Sequence, residues 1–274
     1  MSNESAPKSV WKLAAGTTED SSTPNFSTMI FVTLSEIVDI FYKFYFAKIH
    51  IFVLSKTFLS TKSKQFMQII QKYFPELSEI QLDRFHKLYE IYFEWNNKIN
   101  VVSRKDFENF YEHHVLHSLA IAKFVDFKNG AFVLDIGTGG GFPTIPLAIL
   151  FPDVHFLASD SIAKKIKVVD AVVEALDLKN VETFVGRSET ISKQFDFIIT
   201  RAVAPLFDII TWSKNKIHPI AFHDIDNGII ALKGGDLKNE IRESKRKVVL
   251  KSISDYFEEP FFETKYITFV PYKN

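Results

Sequence analysis

A glycine-rich segment is the first place where this chain could bring its backbone close to a ligand. In the run VLDIGTGGGFPTIP, residues 133–146, the spacing of Asp135, Gly137, Gly139 and Gly141 gives the pattern D-x-G-x-G-x-G. An apolar stretch stands on each side of the glycines, which predicts a strand, a loop and then a helix. Backbone amides and a helix N-terminus can meet a ligand at such a junction.

Three kinds of loop fit this position differently. A phosphate-cradling Walker loop needs a Lys followed by Ser or Thr, and none follows here. A dinucleotide loop needs a glycine where this chain has Phe142, whose ring would obstruct close packing of helix and strand. The remaining pattern resembles the first motif of Rossmann-like S-adenosylmethionine-dependent methyltransferases. A dinucleotide loop and a tight turn without a ligand stay as alternatives.

Acidic residues at the ends of two predicted strands suit the polar groups of that cofactor. Asp135 suits the ammonium of the methionine end, where Gly137 and Gly139 let the backbone pass flush against the ligand. Asp160 ends the next strand, 23 residues after Gly137. A carboxylate there can accept hydrogen bonds from both ribose hydroxyls. The alternative is that Asp160 or Ser161 caps the following helix.

Four further residues at strand ends are candidates for the site. Ser188 and Glu189 follow the strand VETFVG and could contact the adenine edge, or they could form a solvated turn. Arg201 ends the strand FDFIITR, where a guanidinium could bind a cofactor carboxylate, an RNA phosphate or a base edge. A surface ion pair is its alternative. Lys233 is a candidate for RNA contact, or it is structural.

The histidines of the segment YEHHVLHSL invite a comparison with metal sites. His113 and His117 are four residues apart and share a helical face. A zinc site of the zincin type has a Glu between its histidines, whereas here the intervening residues are His-Val-Leu. The chain has no cysteine, so thiolate metal sites and disulfides are excluded. We therefore predict no metal.

The elements that must position these residues alternate along the chain. Apolar runs and helical periodicity predict a parallel sheet covered on both faces, whose ligands bind at the carboxyl ends of its strands. The predicted fold class is α/β, a Rossmann-like methyltransferase sheet with an N-terminal helical preamble. Strands are predicted at 131–135, 154–160, 181–186, 195–201, 227–235, 253–259 and 264–272, and helices at 144–151 and 161–178.

The chain before this sheet divides into an extension, residues 1–66, and a helical part, residues 67–128, which leaves 129–274 for the sheet domain. Residues 1–28 are polar and predict disorder. Charges interrupt the apolar run 29–59, so no membrane span is predicted. The run also begins late and lacks a small-residue cleavage site, so no signal peptide is predicted. The run 29–59 is either an added amphipathic helix or sequence upstream of a translation start at Met67. The helical part contains a helix at 107–124 and one with an apolar face of Leu82, Phe85, Leu88, Tyr89, Tyr92 and Phe93.

Charge gives no whole-protein attraction to nucleic acid. Lys plus Arg and Asp plus Glu are both 33, so any such attraction must be local. Residues 238–251 contain six basic and two acidic residues, which suits salt-sensitive contacts to phosphates. A solvated helix face is the alternative for this segment.

Several separated segments together resemble one family. They are WNNKINVVSRKD, YEHHVLHSLAIAK, VLDIGTGGGFPTIPLAI, ASDSIAKKIKVV, GRSET, FDFIITRAVAPL and GIIALKGG. From about Met67 onward the chain resembles the glucose-inhibited division protein B (RsmG) family of bacterial 16S ribosomal RNA guanine-N7 methyltransferases. It departs from the family at Thr144 and Ala163, where the family commonly has Gly. The family's cofactor contacts fall on Gly137, Phe142, Ser188, Glu189 and Arg201.

The resemblance implies transfer of a methyl group from S-adenosylmethionine to N7 of a guanine in 16S ribosomal RNA. Because N7 carries a lone pair and no proton, we expect no general base and no catalytic side chain, only positioning and electrostatics, with Arg201 organising the centre. The expected partner is 16S ribosomal RNA within a ribosomal particle in the cytoplasm, without DNA, metal or membrane. The alternatives are a ribosome-assembly module that binds the cofactor without turnover, and a methyltransferase of another substrate.

Overall fold

The structure, a computed structural model, describes Tyr42, Tyr45 and residues 67–103 and 105–273. The chain divides into two compact units, Met1–Val53 and Leu54–Asn274. In the first unit only Tyr42 and Tyr45 are described, and both are helical and exposed. The predictions for the rest of the extension lie outside the described residues. All other described residues belong to the second unit.

The second unit is built on a seven-stranded sheet. Its strands are β1 (Phe132–Ile136), β2 (His155–Asp160), β3 (Val181–Val185), β4 (Phe197–Arg201), β5 (Gly228–Gly234), β6 (Val249–Ser252) and β7 (Lys265–Pro271). They lie side by side in the order β3-β2-β1-β4-β5-β7-β6. β1 to β5 are parallel neighbours, whereas β7 runs antiparallel to β5 and β6. The prediction of a parallel sheet is therefore confirmed for the first five strands only.

One predicted strand is wrong. Residues 253–259 contain a 3-10 turn, Ile253–Asp255, and the edge strand β6 lies immediately before it. Ile253 and Phe257 are both fully buried, and residues four apart share a face in a strand as well as in a turn of helix, so the apolar pattern fits both structures. In the structure the Phe257 amide donates to the Ile253 carbonyl at 3.0 Å, as in a turn of helix.

Helices cover the sheet and precede it. Their bounds are α1 (residues 67–73 as described), α2 (Glu79–Asn96), α3 (His117–Phe124), α4 (Thr144–Leu150), α5 (Ala163–Ala175), α6 (Leu206–Trp212) and α7 (Lys238–Ser244). Ser78 and Gln81 form a capping box at the start of α2. The predicted apolar face of α2 is buried at Phe85, Leu88, Tyr89 and Tyr92, but Phe93 is exposed.

The predicted helix 107–124 consists of three different turns. Phe107–Asn109 is a 3-10 turn, Phe110–Leu116 is π-helical, and α3 completes the segment. No described helix has both the length and the apolar character that crossing a membrane requires.

Each face of the sheet carries its own buried cluster, because alternate residues of a strand point to opposite sides. In β1, Val133 belongs to the larger cluster and Leu134 to the smaller one. The larger cluster includes residues from α1, α2, the π-helix and α3, so residues 67–128 and the sheet share one core. This arrangement brings α2 and the π-helix to the edge of the sheet where the parallel strands end.

Candidate active site

A cavity of about 560 Å³ opens at the carboxyl ends of the parallel strands. It lies where the strand order turns from β1 to β2 on one side and to β4 on the other, the usual ligand position in such sheets. Its lining comprises Val101, Ile136, Gly137, Thr138, Gly139, Gly140, Phe142, Asp160, Ser161, Ile162, Lys165, Gly186, Arg187, Ser188, Glu189, Arg201, Ala202, Val203 and Trp212. Seven of the eight predicted cofactor-site residues are in this set, and Asp135 is not.

The glycine loop is restricted by both its conformation and its surroundings. Gly137 has a φ of 69°, and a Cβ added there would lie 2.7 Å from Cγ2 of Val203. Gly139 also has a positive φ, 60°, but an added Cβ would meet nothing within 4 Å. The loop is also fixed from behind, because the Tyr92 hydroxyl donates a hydrogen bond to the Gly140 carbonyl at 2.6 Å.

Asp160 joins the glycine loop to the beginning of α5. Its Oδ2 accepts a hydrogen bond from the Gly139 amide at 3.0 Å, and its Oδ1 accepts one from the Ile162 amide at 2.9 Å. The Lys165 ammonium lies 3.7 Å from Oδ2. This side chain therefore ties the glycine loop to the turn before α5 and also lines the cavity, and its contact with the ribose stays a prediction.

Asp135 lies behind the loop and has no exposed surface. The Thr144 hydroxyl donates to its Oδ2 at 2.7 Å, while Oδ1 has no hydrogen-bond partner among the described residues. Burial raises the pKa of this carboxyl to about 6. The structure thus gives Thr144, a departure from the resembled family, a definite contact. It places Asp135 out of direct reach of the cavity, and a contact with the cofactor ammonium stays a prediction.

Ser188 and Glu189 begin a short 3-10 turn, Ser188–Thr190, and differ in their surroundings. The Ser188 side chain is buried, and its hydroxyl lies 2.9 Å from that of Ser159 on β2. The Glu189 side chain is exposed at the rim of the cavity, and its backbone carbonyl accepts a hydrogen bond from Lys216 at 3.1 Å. Only the Ser188 side chain therefore belongs to the fixed wall.

Arg201 reaches the cavity from the end of β4. Its Nη1 donates to the His113 carbonyl at 3.0 Å, and its Nη2 lies 3.1 Å from Nδ1 of His114. The guanidinium carbon is 5.1 Å from the ring centroid of Phe142, a cation–π distance. Among the described residues no carboxylate forms an ion pair with it. Burial lowers its pKa to about 10, so it stays charged at neutral pH.

The three histidines do not converge on one point. His113 and His114 both contact Asp106, at 2.5 Å and 2.8 Å, while His117 is buried against aromatic rings. No group of three His, Cys, Asp or Glu side chains within the described ranges has the arrangement of a metal site. Asp106 was not predicted as a site residue, although it directly precedes the helical segment that carries both histidines.

Lys233 lines a second cavity, of about 470 Å³, which shares Ala202 and Val203 with the first. Its ammonium forms an ion pair with Glu240 at 2.6 Å and donates to the Ala204 carbonyl. Lys233 is therefore already paired, and contact with RNA stays a prediction. The basic segment 238–251 forms α7 and β6 and not one continuous helix face.

The strand order, the glycine loop after β1 and the carboxylate at the end of β2 define a Rossmann-like methyltransferase. The family model described as rRNA small subunit methyltransferase G matches residues 81–265. The chain belongs to that family. Phe142, Ser188, Glu189 and Arg201 all lie within the matched region.

Proteins of the same name align with this chain over nearly the whole of their own length. The ribosomal RNA small subunit methyltransferase G of Bacteroides thetaiotaomicron is 53% identical over 203 residues, 74% of this chain and 98% of its own. The protein of the same name from Flavobacterium psychrophilum is 52% identical over 207 residues, which cover 76% of this chain and 99% of its own. A solved SAM-dependent methyltransferase from Aquifex aeolicus has a TM-score of 0.45 at 17% identity, covering 59% of this chain and 92% of its own, which adds nothing to the family assignment.

Proposed function

We propose that this protein transfers the methyl group of S-adenosylmethionine to N7 of a guanine in 16S ribosomal RNA. The supporting observation is one cavity at the carboxyl ends of β1, β2 and β4 that combines the glycine loop, Asp160 and Arg201 in a member of this family. The family name gives the reaction class and the RNA, and the cavity supplies side chains that suit the cofactor.

The residues fit the cofactor on two observations. Arg201 is a partly buried cation without a carboxylate partner among the described residues, which suits the carboxylate at the methionine end. Gly139 lines the cavity and has nothing within 4 Å of the place where a Cβ would stand, which suits a ligand pressed against the backbone. We assign this end of the cavity to the amino acid, with the buried carboxyl of Asp135 behind the loop contributing at most an indirect field to the ammonium.

The other end of the cavity suits the nucleoside. Asp160 is the only carboxylate buried in the described lining, so we assign it the ribose hydroxyls. Ser188 and Glu189 are assigned to the adenine edge, and the exposed side chain of Ile162 offers the ring an apolar face. Adenine recognition needs this combination because the base is flat and apolar on its faces and polar at its edge.

The chemistry needs no proton transfer by the protein. The sulfonium of the cofactor supplies an electrophilic methyl group; the N7 lone pair forms the new N–C bond as the S–C bond breaks, and the base becomes cationic. The protein's contribution is to hold both reactants in line and to exclude water. This reaction fits a cavity in which Phe142 and Val203, not a titrating dyad, stand beside Arg201.

The RNA approaches, in this proposal, from the second cavity. Its shared wall, Ala202 and Val203, would bring a guanine next to the cofactor, with Lys233 on the substrate side. Residues 238–251 supply phosphate contacts that position the RNA without reading its sequence. A zero net charge favours a partner that adds its own recognition surface, such as a ribosomal particle in the cytoplasm.

The test is methyl transfer itself. The protein is incubated with methyl-labelled S-adenosylmethionine and either naked 16S ribosomal RNA or small ribosomal subunits, and the RNA is digested to nucleosides. The expected product is labelled 7-methylguanosine, with more label from the subunits. Cofactor binding without label in RNA would instead point to an assembly module, and label in protein or small molecules to another substrate.

A further inference from the structure

The hydrogen bonds of the Arg201 guanidinium both go to the π-helix. Two of its nitrogens are fixed by the His113 carbonyl and by Nδ1 of His114, and no carboxylate of the described residues occupies its remaining N–H groups. We propose that His114 and Asp106 are positioning residues, which hold Arg201 in place as the receptor for the cofactor carboxylate. This inference rests on the proposed function.

Hydrogen-bond chemistry fixes the state of His114. A guanidinium can only donate, so Nδ1 of His114 must accept and its proton must be on Nε2. That Nε2–H then donates to Oδ2 of Asp106 at 2.8 Å. Burial, with help from the nearby Arg201 charge, lowers the pKa of His114 to about 4, so the ring is neutral at neutral pH. Asp106 thereby selects the tautomer that Arg201 needs.

The π-helix supplies the second anchor. In an α-helix the His117 amide would donate to the carbonyl four residues back, that of His113. Here it donates to the Glu112 carbonyl, five residues back. The His113 carbonyl is therefore not taken by that bond and accepts from Nη1 of Arg201 instead. Single π turns of this kind recur at functional sites.

The arrangement also orients Arg201 without a direct bond to a protein carboxylate among the described residues. Asp106 contacts Arg201 through the neutral ring of His114 and not by a hydrogen bond of its own, so it orients the cation without occupying the N–H groups that face the cavity. A carboxylate bonded directly to Arg201 would occupy the groups that a ligand carboxylate needs. Positioning through an intermediate ring is the same device that orients metal-binding histidines.

Two substitutions of His114 separate its two contacts. In His114→Asn the amide oxygen can take the place of Nδ1 and accept from Arg201, without reaching Asp106. In His114→Gln the amide lies near the Nε2 position and keeps Asp106 but not Arg201. His155→Asn is the matched control, since His155 lies at the opposite end of β2 from Asp160.

Binding of two cofactor forms is measured by calorimetry without RNA: S-adenosylmethionine and its decarboxylated form, which lacks only the carboxylate. We expect His114→Gln to weaken S-adenosylmethionine about tenfold or more, the effect of a lost hydrogen bond to a charged group. Its affinity for the decarboxylated form should be unchanged. His114→Asn should restore most of the S-adenosylmethionine affinity, and His155→Asn should match the wild type.

The outcomes separate this inference from the proposed function. A wild-type protein that does not bind S-adenosylmethionine would overturn the proposed function. Wild-type binding with an unaffected His114→Gln variant would overturn the positioning role alone. Equal weakening of both cofactor forms in His114→Gln would also overturn it, because a general loss of structure does not depend on the ligand's carboxylate.

Discussion

The buried carboxyl of Asp135 is the most perturbed acid beside the glycine loop. Thr144 gives it one hydrogen bond, and its second oxygen has no partner among the described residues. An ionised carboxylate in that position loses its hydration and regains only part of it. At the residue scale, the loop is therefore built over a group whose charge disfavours the folded state.

This gives a pH dependence of stability. The folded pKa of Asp135, about 6, is above its ordinary value of 3.8, so its favourable contribution is complete below pH 3.8 and is lost as the pH rises through 6. Relative to Asp135→Asn, the wild type should lose on the order of 3 kcal/mol of unfolding free energy between pH 4 and pH 7. Urea unfolding of both proteins across this pH range measures the difference in unfolding free energy. A difference that does not change with pH would contradict the raised pKa of Asp135.

Gly137 is expected to tolerate no side chain. Gly137→Ala puts a Cβ at a positive φ and 2.7 Å from Val203, so we expect a loss of stability and at least tenfold weaker S-adenosylmethionine binding. Gly130→Ala is the control, since Gly130 has a φ of 81° but nothing within 4 Å of the added Cβ. It should lose only about 1 kcal/mol, with unchanged binding in calorimetry. If the two variants had the same affinity for S-adenosylmethionine, the glycine loop would not be part of the cofactor site.

At the scale of elements, the site depends on the junctions between strands and helices. Asp160 fixes the loop after β1 to the turn before α5, so two elements that are far apart in sequence share one carboxylate. Arg201 similarly connects the end of β4 to the π-helix. The cavity therefore keeps its shape through side chains that also face its ligand.

Asp160 should be sensitive to loss of one acceptor oxygen. Asp160→Asn keeps one acceptor but loses the charge, and we expect S-adenosylmethionine affinity to fall by roughly 1.5–3 kcal/mol. Asp170→Asn is a suitable control, because Asp170 is an exposed acid on α5 that accepts one hydrogen bond from Thr183. Calorimetry and thermal unfolding are compared. Reduced stability with full affinity would mean that Asp160 acts only as a cap.

At the scale of the molecule, the methyltransferase unit is continuous from the first described helix onward. Met67 and Ile70 of α1 are buried in the larger core, so the helical part 67–128 completes the sheet's hydrophobic face. The family match begins at residue 81, within this helical part, and the Bacteroides thetaiotaomicron relative covers 74% of the chain.

A truncation tests the extension. The chain from Met67 to Asn274 retains the buried residues of α1, so we expect it to fold and to methylate RNA at the rate of the full chain. Incorporation of methyl label into small ribosomal subunits is the measurement, with thermal unfolding as the check on folding. A folded but inactive truncated protein would assign residues 1–66 to the working enzyme.

Local patterns in the sequence determined most of the elements and seven of the residues that line the cavity. The glycine spacing, the apolar runs and the polar residues at strand ends predicted the five parallel strands and seven lining residues, because each depends on neighbours within one element and parallel strands end at a common edge. The turn at 253–259 was missed because two buried residues in a short apolar run fit either a strand or a helix turn.

Only the tertiary structure decided which polar groups are paired. Asp106, His114 and Arg201 are brought together from a loop, a π-helix and a strand end, and nothing in their spacing predicts the contact. Lys233 is likewise paired with Glu240, and Asp135 is withdrawn behind the loop. Hydrogen bonds and burial depend on the packing of distant segments, and a one-dimensional pattern records only which groups are present.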